Sequence, residues 1–144
     1  MKKKHFPIDG AFTLVELMVV IVIIGILATT VAWRLWGYVN EAKVKKAMLD
    51  IKQISEGLEL WRLDHDHYPT AQEGLEVLAE RTEKHPDGIM SEIPLDPWGN
   101  EYQYRIPGTY GSYDLVCYGR DEKEGGEAWD ADIGSWNLSR RGRQ

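Results

Sequence analysis

This 144-residue chain has one cysteine, Cys117, two phenylalanines, and no proline between Pro7 and Pro69. A single cysteine excludes an intrachain disulfide, and its place in a strand-like run makes a buried, inert thiol the expectation. The missing prolines leave the strongest helix breaker out of the N-terminal stretch. Charge is absent from Leu17 to Trp33. The whole chain carries a formal −6, and removal of residues 1–11 takes away three lysines and one aspartate, leaving −8. So acidic a surface excludes nucleic acid as a partner, because phosphate binding needs clustered Lys and Arg. No Ser-His-Asp set, phosphate loop or His-rich metal motif offers catalysis.

What is present begins with a short basic leader, Lys2-Lys3-Lys4, running into Gly10-Ala11-Phe12-Thr13-Leu14-Val15-Glu16-Leu17. Phe12–Val15 and the uncharged run after Glu16 together supply about the 20 apolar residues with which a helix crosses a bilayer. A cleaved secretory signal has an apolar region of only about 7–15 residues ending at small residues, whereas this run continues through Trp33 and Trp36 without such a site. A plain signal anchor explains the length and places the N-terminus in the cytoplasm. It leaves Glu16 without a role, although a carboxylate inside such a segment costs at least about 2.5–3.5 kcal/mol and calls for a cationic partner.

These residues resemble the class III signal of type IV pilins and pseudopilins, a basic leader followed by Phe-Thr-Leu-x-Glu and an apolar helix. The resemblance implies a prepilin peptidase that cuts before Phe12 and N-methylates it, and an acid at the fifth mature position that meets the terminal amine of a neighbouring subunit. Pairing with that amine is what burial of Glu16 requires. Cleavage between Ala11 and Phe12 puts Glu16 fifth. The family's usual glycine before the cut stands one position early, at Gly10, and cleavage there would make Ala11 the first residue and Glu16 the sixth.

About 105 residues follow the apolar segment, enough for one modest core. Val44, Ala47, Met48, Ile51, Ile54, Leu58 and Trp61 recur at steps of three or four and predict a core-facing helix face, with Lys43, Lys45, Lys46, Asp50, Lys52 and Glu56 on the polar face. With no proline to interrupt it, one helix is expected from the membrane to about Leu63, over 50 residues or about 75 Å. Pilin-like proteins often have a helix-loosening proline near the position of Trp33, and this chain does not. Asp64-His65-Asp66-His67 has the wrong spacing for a metal cluster and reads as a solvated helix end.

Thr70 and Glu73 form a capping-box pattern that predicts a second short helix over 70–82 with Leu75, Val77 and Leu78 on its apolar side. Residues 84–90 read as a loop, and Asp96-Pro97-Trp98-Gly99 as a type I turn. Tyr102, Tyr104 and Ile106 alternate with polar residues as one strand, and Tyr113, Leu115 and Cys117 share a face of another. This small antiparallel sheet needs the long helix to cover it, and Tyr102, Tyr104, Tyr113 and Trp136 are assigned to that packing.

Residues 119–136 form a glycine-rich loop with six carboxylates between Asp121 and Asp132. Such a density repels itself unless solvent or a cation offsets it, and Ca²⁺ takes six to eight oxygens of this kind. An EF-hand is excluded, since a loop starting at Asp130 has Ser135 and Arg141 where Gly and Glu are needed.

Tyr68-Pro69, Glu73-Gly74-Leu75, Pro94–Asn100, Gly119-x-Asp121 and Asp130-x-Asp132-Ile133-x-x-Trp136 together resemble the major-pseudopilin family of type II secretion systems, from Phe12 to Leu138. The resemblance implies an α+β, pilin-like fold and calcium held by Asp121, Asp130 and Asp132 with the Tyr118 carbonyl. Glu122 stands where the family usually has Gly. It also implies a leader over 1–11, a membrane and assembly helix over 12–38, a periplasmic domain over 39–138 and a flexible tail over 139–144. The function it implies is that of a non-enzymatic subunit, anchored in the bacterial inner membrane with its N-terminus cytoplasmic. The subunit polymerises into a periplasmic pseudopilus with minor pseudopilins and an inner-membrane platform to drive export of folded proteins across the outer membrane. A type IV major pilin is the neighbouring alternative, but many of those close a C-terminal loop with two cysteines. A single-span anchored hydrolase using Asp121, Asp130 or Asp132 is the alternative of a different class.

Overall fold

The computed structural model describes residues 12–138, without the side chains of residues 30–36. Ala11, the leader and the tail 139–144 lie outside the described residues. Helix α1 runs over Leu14–His65, 52 residues, as the missing prolines predict. The chain divides into two compact units, Met1–Tyr38 and Val39–Gln144.

In the first unit the large apolar side chains from Phe12 to Leu27 are between 48% and 83% exposed. A helix apolar on every side has no water-facing stripe and needs a non-aqueous environment or other chains around it. Among the described residues no helix is long and apolar enough to cross a membrane. The membrane segment expected over 12–38 includes residues 30–36, whose side chains fall outside the description.

The second unit holds the core. Ala47, Ile51, Ile54, Leu58 and Trp61 of α1 are buried with Leu75, Leu78, Met90, Tyr102, Leu115, Cys117 and Ile133, while Val44 and Met48 pack at its margin. The spacing predicted this face, and each fully buried Leu or Ile contributes about 1.5–3 kcal/mol. Gly57 sits inside the helix because a Cβ there would lie 3.3 Å from Met90 Sδ and 3.4 Å from Leu78 Cδ1. The helix ends where Asp66 turns to φ 62 and its N–H reaches the Arg62 carbonyl at 2.8 Å, a left-handed cap that satisfies that carbonyl.

Three short strands, β1 (Gln103–Arg105), β2 (Asp114–Cys117) and β3 (Ile133–Gly134), form an antiparallel sheet in that order. Tyr104 faces Leu115 and Cys117 faces Ile133 across the ladders. All of β2 is buried, and burial pushes the Cys117 thiol up to about 12. Its Sγ donates to Asp96 Oδ2 at 3.2 Å. Asp96 Oδ1 also caps the expected turn by accepting from the N–H groups of Trp98 and Asn100.

Three expectations need correction. The helix predicted over 70–82 is a single turn closed by the Thr70–Glu73 box followed by a 3₁₀ turn, Glu76–Ala79. Gly74, at φ +66, breaks it. Trp136 is 36% exposed and stacks on Tyr110 at 4.3 Å between ring centroids, outside the core. Asp50 is buried at 9% exposure, not on the outer face: it accepts from Tyr102 Oη at 2.9 Å and from Lys46 Nζ at 2.5 Å. Burial and this carboxylate both raise the Tyr102 phenol pKa, so Tyr102 stays a donor. Tyr102→Phe removes a hydrogen bond to a buried charge and is expected to cost about 1.5–3 kcal/mol in chemical unfolding; an unchanged midpoint would mean that Lys46 alone satisfies Asp50.

Candidate functional site

Two places carry chemistry. At the start of α1, Thr13 and Glu16 close a reciprocal capping box: Glu16 Oε2 accepts from Thr13 N at 3.1 Å and from Thr13 Oγ1 at 3.0 Å, and Glu16 N donates to Thr13 Oγ1 at 3.2 Å. The box satisfies first-turn N–H groups that a helix start leaves open. It also places a carboxylate against the positive end of the helix dipole. The acid that the sequence left without a partner is thus hydrogen-bonded within its own chain, beside Phe12, which is 83% exposed.

The second place is the loop between β2 and β3. Gly119 at φ +73 lets the chain leave β2 close against residues 129–130, since a Cβ there would lie 2.9 Å from the Trp129 carbonyl oxygen. Arg120 N–H donates to that same oxygen at 3.3 Å. Its guanidinium forks onto Asp130, Nε to Oδ1 at 2.9 Å and Nη2 to Oδ2 at 3.0 Å. Asp132 Oδ2 accepts from Gly125 N at 2.9 Å, and Asp132 N donates to Gly125 O at 3.2 Å. Asp132 Oδ1 is buried with no partner among the described residues. Asp121 Oδ1 accepts from Lys123 N at 3.3 Å, and the Tyr118 hydroxyl accepts from Arg105. Glu122, where the resembled family has Gly, sits at φ 59, a conformation that costs a non-glycine residue about 1 kcal/mol or more.

The oxygen-rich donor set suits a hard cation in chemistry, and an orphaned buried carboxylate oxygen is what such a cation relieves. Its placement does not: among the described residues no three His, Cys, Asp or Glu side chains are gathered to hold a metal. Asp121, Asp130 and Asp132 are not brought together, and Asp130 is turned onto Arg120. Spacing gave no sign of Arg120, whose partner is ten residues away across two glycines.

Of the Asp64–His67 run, His65, Asp66 and His67 are exposed as expected of a solvated helix end, while Asp64 is partly buried. His65 stacks on Trp61 at 3.8 Å between ring centroids, and His67 turns to the Tyr68 carbonyl. Asp64 meets His85 Nε2 at 2.7 Å and Lys84 Nζ at 3.0 Å, tying the 84–90 loop to the helix. The hydrogen bond from His85, and then that from Lys84, hold the Asp64 carboxyl below the usual range.

Residues 34–136 match the family model described as Type II secretion system (T2SS), protein G. The chain belongs to this protein G family. A model of the prokaryotic N-terminal methylation motif matches residues 9–32. The type II secretion system core protein G of Pseudomonas aeruginosa is 47% identical over 136 residues, covering 90% of this chain and 96% of its own. That of Escherichia coli K12 is 42% identical over 137 residues, covering 90% and 92%. The crystal structure of the major pseudopilin from the type 2 secretion system of enterohaemorrhagic Escherichia coli matches with a TM-score of 0.59 at 34% identity, covering 72% of this chain and 94% of that one. The long helix on a three-stranded antiparallel sheet is therefore the pseudopilin fold of the protein G family.

Proposed function

We propose that the chain is the structural, non-enzymatic subunit of a type II secretion pseudopilus. In this reading a prepilin peptidase removes residues 1–11 and methylates Phe12, and the subunit waits in the inner membrane with its domain in the periplasm. It then polymerises with copies of itself, alongside minor pseudopilins and on an inner-membrane platform, so that filament growth drives folded proteins across the outer membrane. The observation that carries the reading is the first unit itself. An apolar helix exposed on all sides from Phe12 to Leu27, with one acid one turn from its start, suits lipid first and a bundle of identical helices afterwards.

Mass spectrometry of the mature N-terminus is the test. Phe12 is expected first and methylated in protein isolated from membranes; a chain beginning at Ala11 moves Glu16 to the sixth position and removes the basis for its pairing, and an uncleaved chain overturns the reading. We also propose that calcium binds the 118–132 loop, with Asp121, Asp130, Asp132 and the Tyr118 carbonyl as its oxygens. The support is the family resemblance and the orphaned Asp132 Oδ1.

A further inference from the structure

We infer that the cleft between the C-terminal end of α1 and residues 80–89 is a docking site for a basic peptide segment, and that its occupant is the chain's own run Arg140-Arg141-Gly142-Arg143, offered by the same or a neighbouring copy. The cleft encloses about 260 Å³ between Trp61 and Asp64 of α1 and the stretch from Val77 to Ile89. Lys84 and His85 both reach Asp64, at 3.0 and 2.7 Å, so the wall that residues 80–89 contribute is fastened to the helix. Those contacts spend both cations on one carboxylate, and His65 lies flat on the Trp61 ring. Glu80 and Glu83 line the same cleft, are exposed and enter no ion pair among the described residues. Arg81 stands between them in sequence but is not part of the lining.

These walls ask for a ligand of mixed chemistry. Trp61, Val77 and Ile89 give an apolar surface suited to a methylene stem. Two uncompensated carboxylates at the mouth call for a cation at the end of that stem, and a guanidinium meets a carboxylate with two parallel bonds where an ammonium makes a point contact. Trp61 is 8% exposed, and its indole N–H has no acceptor among the described residues. A peptide brings an acceptor in every carbonyl. An arginine within a peptide meets all three demands, whereas an anionic or purely apolar ligand leaves the carboxylates unanswered.

Such a segment follows directly on the described residues. Residues 140–143 hold three arginines, and no acidic side chain comes after Asp132. With the leader and residues 139–144 set aside, the body over 12–138 carries a formal −11, from 11 Lys and Arg against 22 Asp and Glu. Leu138 packs against the same core that buries Trp61, and a further six residues span about 20 Å when extended. Covalent attachment supplies the segment at an effective concentration in the millimolar range, enough to fill a site that would hold the free peptide only weakly. The acidic loop over 121–132 attracts the same charge, but an exposed loop has no apolar wall to receive the stem.

The test is limited trypsin digestion of the full chain in detergent micelles at low salt, with cleavage after Arg140, Arg141 and Arg143 followed by mass spectrometry. The double variant Glu80→Gln, Glu83→Gln is expected to be cut there about 3- to 10-fold faster than wild type, because a docked segment is shielded only while it is bound. Glu124→Gln with Glu127→Gln makes the same charge change in the acidic loop and is expected to leave the wild-type rate. In 1 M salt, where charges act over only about 3 Å, the three proteins should converge. Protection that persists through a hundredfold dilution assigns the segment to the cleft of its own chain, and protection that falls with dilution assigns it to a neighbouring copy. Equal cleavage of wild type and the Glu80, Glu83 variant, or equal acceleration by both double variants, overturns the cleft as the docking site.

Discussion

Glu16→Ala is expected to give a chain that enters the membrane, is processed before Phe12 and yields no filaments. Insertion should become easier, because a carboxylate in an apolar segment costs at least about 2.5–3.5 kcal/mol. Within its own chain Glu16 gains only the Thr13 hydrogen bonds of the capping box, which help it sit in an apolar layer without neutralising it. In the proposed bundle of copies the amine of a neighbouring Phe12 would supply the missing positive charge. Leaving that amine buried and unpaired costs about 3–5 kcal/mol, a factor of about 150 to 5,000 for each subunit added. Glu16→Gln separates the two roles of the carboxylate: it retains an acceptor for Thr13 but has no charge, and it is expected to fail as alanine does. Filaments of normal number and length from Glu16→Gln, counted by electron microscopy, would show that capping and not charge is what assembly needs.

Calcium is expected to raise the melting temperature of the full chain in micelles by about 10–20 °C at hundredfold excess over Kd. A ligand that binds only the folded state stabilises it by RT ln(1 + [L]/Kd), about 2.7 kcal/mol at that excess. For a domain of about 100 residues each kcal/mol moves the midpoint by about 4–8 °C. The physical source is the loop's own strain: six carboxylates in a dozen residues, an unpartnered Asp132 Oδ1 and a left-handed Glu122. Asp132→Ala and Asp121→Ala should each abolish most of the shift. Equal melting curves in calcium and in chelator would return the loop to a solvated acidic turn.

The parts of this fold that repeat along the chain were the parts that could be read from it. Steps of three and four from Val44 to Trp61 give the buried face of α1 because helical geometry turns spacing directly into direction. The absence of proline gives its length. Where a single residue decided the outcome, the pattern misled: Gly74 at φ +66 cut a well-capped helix to one turn. β3, Ile133–Gly134, is two residues long and too short to show any alternation. Asp50 occupied a polar position in the helical pattern, but Tyr102, 52 residues away, reaches over to meet it. Arg120 escaped notice for the same reason, since its effect depends on a fork across the loop that no local spacing encodes. The helix at the apolar start of the chain was legible because an uncharged, proline-free run gives it apolar side chains on every face, which one segment states alone.

The silent state of Cys117 has a practical consequence. At 1% exposure and with burial pushing its thiol up to about 12, it stays protonated and shielded from reagents, the opposite of a reactive cysteine. The native chain is in effect cysteine-free to labelling reagents and to disulfide exchange. Any cysteine introduced at the surface then reports on itself alone, so pairs placed on opposing faces would cross-link between copies in an oxidising compartment without scrambling, and a distance map of neighbouring copies could be assembled bond by bond in living cells.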